Sequence, residues 1–342
     1  MKKAIAVIMA IGMLLALCAC GQTQSENGAA TQPAAADTSG TTYVMNIGSV
    51  VSDTHPVSVA LQQFKENVEK RTNGAVVVNH YGNSQLGGEI ELLEQNISGT
   101  LEASMQMGAA NFESYNEAAD VALLPFLFSD IEAARNAWGG EFGERFAKDV
   151  IEPTGVTSLS IFESGIRHMT NNTRPIVEPE DLKGIKFRTN ENNMKIQMYN
   201  ALGGSVITMP FSEVFTALQN GTIDGQENPL ANIYSSSLQE VQKYLSLTRH
   251  MYDAAPFVVN TKWFTSLPEE YQTIIKEEAA AARALELELN DEGQYLDKLK
   301  EAGMEVNEID TPAFQACMTG IWSDFADKHG QDWIDLATSF NK

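Results

Sequence analysis

Apolar and polar positions divide the chain into three stretches. Ala4 to Leu17 is an uncharged apolar run behind Lys2 and Lys3, and residues 21–42 carry almost no large apolar side chain. From Tyr43 onward, apolar residues recur with the periods of strands and helices. Tyr43–Gly48 predicts a strand, and Leu61, Phe64 and Val68, with Lys65, Glu66 and Glu69 between them, predict a helix. Asn73-Gly74 marks a turn before a short β-branched strand, Ala75–His80. Ile90, Leu93 and Ile97 predict a helix stopping near Gly99, and Leu101–Met107 a third strand. After Gly165 the alternation resumes with a strand at Ile185–Arg188 and a helix at Asn192–Leu202 closed by Gly203-Gly204. A strand at Val206–Met209 follows, then a helix at Phe211–Leu218 opened by Pro210. Pro268–Gly303, rich in Ala, Glu, Leu and Lys, predicts one very long helix or two joined near Gly293. About 30 helical residues span about 45 Å, more than one small lobe needs, so this segment reads as a strut across two lobes. The alternation of strand and helix points to a parallel sheet in an α/β layer fold.

The basic start and the apolar run read as a secretory signal peptide, too short for a membrane span of about 20 residues. Leu17-Cys18-Ala19-Cys20-Gly21 resembles a bacterial lipobox, which implies cleavage before Cys20 and lipid on its sulfur. Cys18 fits less well, because bulky Leu17 would occupy the cleavage position. The alternative is ordinary signal cleavage without lipid. Residues 1–19 are then a lipoprotein signal peptide and 20–42 a lipid-anchored flexible linker, too poor in apolar surface to order itself. The expected location is extracytoplasmic, in the periplasm or on the outer face of the cytoplasmic membrane. Cys317 remains as the lone thiol of the exported domain, expected to be buried and inert.

Charge narrows the function. The 342 residues hold 23 Lys+Arg against 45 Asp+Glu, a net charge of -22; losing Lys2 and Lys3 with residues 1–19 leaves 21 against 45, or -24. Nucleic acid is excluded as a partner, since its binding rests on Lys and Arg neutralising phosphates. So is retention on anionic lipid by basic patches. There is no G-x-S-x-G elbow, H-E-x-x-H pair, P-loop or G-x-G-x-x-G fingerprint. Histidines 55, 80, 168, 250 and 329 lack paired ligand spacing. Glu277-Glu278, Glu286 and Glu288 read as the solvated face of the long helix. The pattern favours binding over catalysis, with neither cofactor nor metal expected. Of eight arginines, Arg167 and Arg188 follow apolar strands, where open α/β sheets place their ligand clefts. A guanidinium offers a rigid fork of donors that matches a carboxylate. The alternative for each is a structural arginine paired with one of the many acidic side chains.

Five ordered segments carry a family likeness. They are Gln85–Glu89, Leu124–Phe128, Asp181–Arg188, Pro210–Gly221 and Asp224–Pro229. Together, from about Tyr43 to Trp263, they resemble the extracytoplasmic solute-binding proteins of TRAP (tripartite ATP-independent periplasmic) transporters, the DctP-like branch. The resemblance implies a two-lobed α/β fold of the periplasmic-binding-protein kind, with crossing strands, a hinge and a long lobe-spanning helix. Lobe 1 is expected at 43–164 plus 254–294, and lobe 2 at 165–253 plus 295–342. It implies that Arg188 clamps a ligand carboxylate, that Asn228 supports the same group, that Arg167 is a second arginine near the ligand, and that Phe211 packs beside it. Glu89 and His55 lie in segments that contact hydroxyls in sugar-acid binders; otherwise Glu89 favours the positive end of a helix and His55 is a turn residue before Pro56. The implied ligand is an organic acid, a sugar acid such as a uronate, with a C4-dicarboxylate or another hydroxy or keto acid as the alternative. The implied partners are the small and large membrane subunits of the permease and, through the lipid, the membrane, with the chain acting as a monomer. A ligand-sensing lipoprotein or the binding protein of an ATP-driven importer is the competing reading.

Overall fold

The computed structural model describes residues 41–342; the expected signal peptide, Cys20 and the linker up to residue 40 lie outside them. Nine strands form one sheet: β1 (Tyr43–Gly48), β2 (Val76–Tyr81), β3 (Ala103–Met105), β4 (Val156–Asn171), β5 (Lys186–Thr189), β6 (Ser205–Thr208), β7 (Gly225–Pro229), β8 (Tyr244–Asn260) and β9 (Glu305–Glu308). The helices before β4 are α1 (Pro56–Arg71), α2 (Glu89–Ser98), α3 (Ile131–Trp138) and α4 (Glu141–Phe146). Those between β5 and β8 are α5 (Asn193–Ala201), α6 (Val214–Gln219) and α7 (Leu230–Ser235). After β8 come α8 (Thr261–Ser266), α9 (Glu269–Leu289), α10 (Glu292–Glu301), α11 (Thr311–Ala316), α12 (Thr319–His329) and α13 (Gln331–Thr338).

The strand order is β2-β1-β3-β8-β4-β7-β5-β6, with β9 also beside β8. Pairing is parallel among β1, β2 and β3 and among β5, β6 and β7, as the alternation implies. It turns antiparallel at β3–β8, β8–β4 and β4–β7, so the sheet is mixed rather than parallel throughout. The long strands β4 and β8 cause this. The start of β4 and the end of β8 extend the β1–β3 half, and their other ends extend the β5–β7 half. At the crossing the register slips between Glu163 and Gly165 and again between Arg167 and Met169. Gly165 has φ +121°, and a Cβ there would lie 3.1 Å from Pro229 Cβ, so the bend requires glycine.

Each half has its own packing. Met45, Ile47, Phe64 and Phe257 are buried between the first half-sheet, α1 and α9, and Val214, Leu218, Ile233 and Leu299 between α6, α7 and α10. A third core stacks Trp138, Phe142, Phe146 and Trp333 edge to face. The long acidic segment is two helices. They part at Asn290–Asp291, close to Gly293 as expected, because the Asp291 side chain accepts from Gln294 N at 2.6 Å and starts a new helix. Two of its glutamates are not solvated. Glu278 accepts from Arg71 Nη1 and Asn67 Nδ2, both at 2.7 Å, and fully buried Glu286 accepts from Glu163 N at 3.1 Å. They bind the strut to α1 and to the crossing. The last two helices lie against a segment that the sequence boundary assigns to the other lobe. Trp322 Nε1 donates to Pro125 O and Asn341 Nδ2 to Leu127 O, each at 2.9 Å, and Arg145 pairs with Asp332 at 2.6 Å. Cys317 is half-buried rather than buried, its thiol directed at Ala313 O.

Candidate functional site

A cleft opens where the two half-sheets meet, at the carboxyl ends of β1, β3 and β5. Val50, Met107 with Gly108, and Asn190 reach it from the loops after those strands. The central strands supply its floor: Arg167 from β4, Asn228 from β7, Asp253 from β8 and Arg188 from β5. Lys195 on α5, Asn232 on α7, Glu89 at the start of α2 and Phe211 ahead of α6 complete the wall. The deep part has a volume of about 30 Å³. It adjoins an outer chamber of about 460 Å³ between Gly87–Glu91 on one side and Asn190, Glu191 and Met209–Ser212 on the other.

The two arginines differ in what they already hold. The Arg167 fork grips both carboxylate oxygens of Glu227, with Nη2 to Oε1 at 2.9 Å, and also donates to Asp253 Oδ2 and Asn228 Oδ1, each at 3.2 Å. Burial opposes its charge, yet Glu227 and Asp253 outweigh burial and hold its pKa above the ordinary value. Glu227 answers in kind: burial would raise it, but Arg167 and Lys195 keep it well below the carboxylate range. Arg188 has no such partner. It is 3% exposed, and its Nε and Nη2 donate to one neutral acceptor, Met209 O, at 3.0 and 2.7 Å. Its guanidinium carbon stands 5.8 Å from the centre of the Phe211 ring. Burial lowers its pKa to about 10, so at neutral pH it is a buried cation without an ion pair among the described residues.

Glu89 accepts from Met107 N at 2.9 Å, and burial with the nearby Asp253 raises its pKa. The Asn228 amide is tied into the floor, accepting from Arg167 and donating to Gln226. His55 does not line the cleft. It is fully buried as the N-cap of α1, where Nδ1 accepts from Val57 N at 3.2 Å, and Nε2 therefore carries the proton donated to Asn232 Oδ1 at 2.8 Å. Burial lowers its pKa to about 4. The histidine touches the cleft only through Asn232.

Sequence reasoning did not single out Lys195, Glu227, Asp253, Asn190 or Asn232. Glu227 lies inside the quoted Asp224–Pro229 segment, and Asp253 is the single charge in the apolar run Tyr252–Val259, a signal that was readable. Lys195 looks like any helix lysine until the fold buries it, 3.5 Å from Glu227 Oε1 and 3.6 Å from Asp253 Oδ2. Among the described residues, no group of acidic, histidine and cysteine side chains has the arrangement of a metal site, and no helix is long and apolar enough to cross a membrane.

Comparison with known proteins agrees with this fold. The family described as bacterial extracellular solute-binding protein, family 7, matches residues 47–329. The 2,3-diketo-L-gulonate-binding periplasmic protein of Escherichia coli is 34% identical over 79% of this chain and 83% of its own. The C4-dicarboxylate-binding periplasmic protein of Rhodobacter capsulatus is 31% identical over 85% and 89%. Among solved structures, the sugar acid binding protein of Advenella mimigardefordensis in complex with galactonate superposes with a TM-score of 0.84 at 30% identity, covering 88% of this chain and 100% of that one.

Proposed function

The chain belongs to family 7 of the bacterial extracellular solute-binding proteins, the binding proteins of TRAP transporters, and on that premise we propose that it captures a hydroxylated monocarboxylate, a sugar acid, between its two lobes and delivers it to the small and large membrane subunits of its permease. The observation that carries the ligand class is Arg188, a buried guanidinium with no carboxylate of its own. An unpaired buried charge is costly, and a bidentate ligand carboxylate relieves it. The floor holds three cations, Arg167, Arg188 and Lys195, against two fully buried carboxylates, Glu227 and Asp253. With Glu89 in the wall the charges balance, so the preference for one ligand carboxylate rests on Arg188, which among these three cations is the one without a carboxylate partner. A second ligand carboxylate would face Glu89 and Asp253 rather than a further cation, which favours a sugar acid over a C4-dicarboxylate. The body is strongly acidic, yet at about 8 Å of Debye length its distant charges are screened, whereas the contact with Arg188 is not. In this reading Asn228 and Arg167 shape the floor, Phe211 packs beside the clamp, Glu89 faces hydroxyls, and His55 orients Asn232.

The test is Arg188→Ala measured by calorimetry against D-galactonate, D-glucuronate and succinate. Removing one partner of a desolvated charge pair costs about 2–5 kcal/mol, roughly 30- to several-thousand-fold in affinity. Near-normal binding by the variant removes Arg188 from the site. We also propose that lipid on Cys20 anchors the protein to the outer face of the membrane, supported by the Leu17–Gly21 motif. Cys20→Ala should move the protein from the membrane pellet to the soluble fraction of fractionated cells; equal partitioning of both forms argues against the lipid.

A further inference from the structure

Asp253 is 2% exposed and lines the cleft. Its two oxygens have different surroundings. Oδ2 receives Arg167 Nη1 at 3.2 Å and lies 3.6 Å from Lys195 Nζ. Oδ1 has no hydrogen-bond partner among the described residues, while the Ala109 backbone amide favours the charged form of the carboxylate. Buried carboxylate oxygens are rarely left unpaired, and such an atom in a ligand cleft calls for a donor that arrives with the ligand. Gly108, also in the cleft wall, stands beside it and presents no side chain. A Cβ at that position would stand 3.5 Å from both Asp253 oxygens. The backbone of Gly108 is extended, with φ -150°, so conformation does not demand glycine there.

Resting on the sugar-acid reading, we propose that Asp253 is a specificity-determining residue: its Oδ1 accepts the hydrogen bond of a ligand hydroxyl, and Gly108 leaves room for that hydroxyl. Arg188 then recognises the charge of the acid and Asp253 recognises that it is hydroxylated. A site built to receive a hydroxyl discriminates strongly against an analogue lacking it, because its own polar atom is left unpaired.

The experiment compares D-galactonate with its 2-deoxy and 3-deoxy counterparts, and with succinate, by calorimetry on the wild-type chain, Asp253→Asn and Gly108→Ala. In the asparagine variant the side-chain oxygen stays toward Arg167 and Lys195, which turns an amide donor toward the ligand in place of the acceptor. Wild type should prefer galactonate over one deoxy acid by at least tenfold, and Asp253→Asn should reduce that ratio to within about twofold of unity. Gly108→Ala keeps the ion pairs of the carboxylate while covering it, and should weaken galactonate at least tenfold more than succinate; it serves also if the asparagine variant does not fold. Unchanged discrimination in both variants overturns the inference. Wild-type binding of succinate alone defeats the sugar-acid reading itself, and this inference with it. No binding of any acid by wild type defeats that underlying reading and this inference with it.

Discussion

His55 shows how far a residue's type can be read without its surroundings. The sequence offers two roles, a hydroxyl contact or a turn before Pro56, and the fold adds a third: it caps α1 and holds Asn232 in the cleft wall. Both ring nitrogens are engaged and burial lowers its pKa to about 4, so it stays neutral in the folded protein where the unfolded chain, near 6.5, takes up a proton. Its contribution is therefore complete above about pH 6.5 and is lost as pH falls toward 4, by about 3 kcal/mol over that window. His55→Asn keeps a capping side chain but does not titrate. Urea denaturation at several values between pH 7 and 4.5 should show wild type losing stability relative to this variant as acid is added; parallel curves would place the histidine in a less buried setting. The arginines teach a similar lesson. Arg167 and Arg188 look alike in sequence, each behind an apolar strand, and only the register that sets Arg167 beside Glu227, Asn228 and Asp253 separates a satisfied cation from an unsatisfied one.

At the scale of elements, legibility follows locality. β1 spans Tyr43–Gly48 as its pattern predicts, α2 ends at Gly99 in the left-handed conformation, and α5 lies inside the predicted Asn192–Leu202. Their signals are short-range: alternation, a capping side chain, a glycine that tolerates positive φ. The two elements that organise the molecule are harder to read. β8 is a nearly continuous buried run of 17 residues, in which periodicity cannot tell strand from helix, and β4 carries its decisive feature in one bent glycine. Register between distant strands is not written in either alone, so periodicity gave neither the mixed sheet nor the crossing, which was expected from the family resemblance only, while the flanking α/β units were plain. The same holds for the acidic strut. Glu278 and Glu286 have the spacing of a solvated face, and it takes the packing of α9 on α1 and β4 to bury them.

At the scale of the molecule, the function rests on two halves meeting around a small deep cavity, and side chains bridge the rim. Ser52 Oγ reaches Ser235 O at 3.1 Å, His55 holds Asn232, and on the other side Glu113 accepts from Asn192 Nδ2 at 2.8 Å. Asn192 caps α5, the helix that carries Lys195 into the cleft, so this last contact couples the rim to the floor. Glu113 stands beside Asp120, with Glu117 and His329 acting on Asp120 and Lys195 acting on Glu113. Burial, reinforced by Asp120, raises Glu113 to about 7. A carboxyl whose pKa is raised by folding supports the folded state fully below its unfolded value, near 4.5, and loses that support as pH rises through about 7. Two charged carboxylates would then repel each other at a point where the halves join. Glu113→Gln keeps an acceptor for Asn192 and removes the titration. The difference in melting temperature, variant minus wild type, should therefore grow from pH 5 to pH 8, and galactonate affinity in wild type should fall over the same range more than in the variant. Because Glu227, His55 and the other titrating groups are common to both proteins, they cancel in the comparison, and a constant difference across that range would mean that Glu113 does not titrate within it.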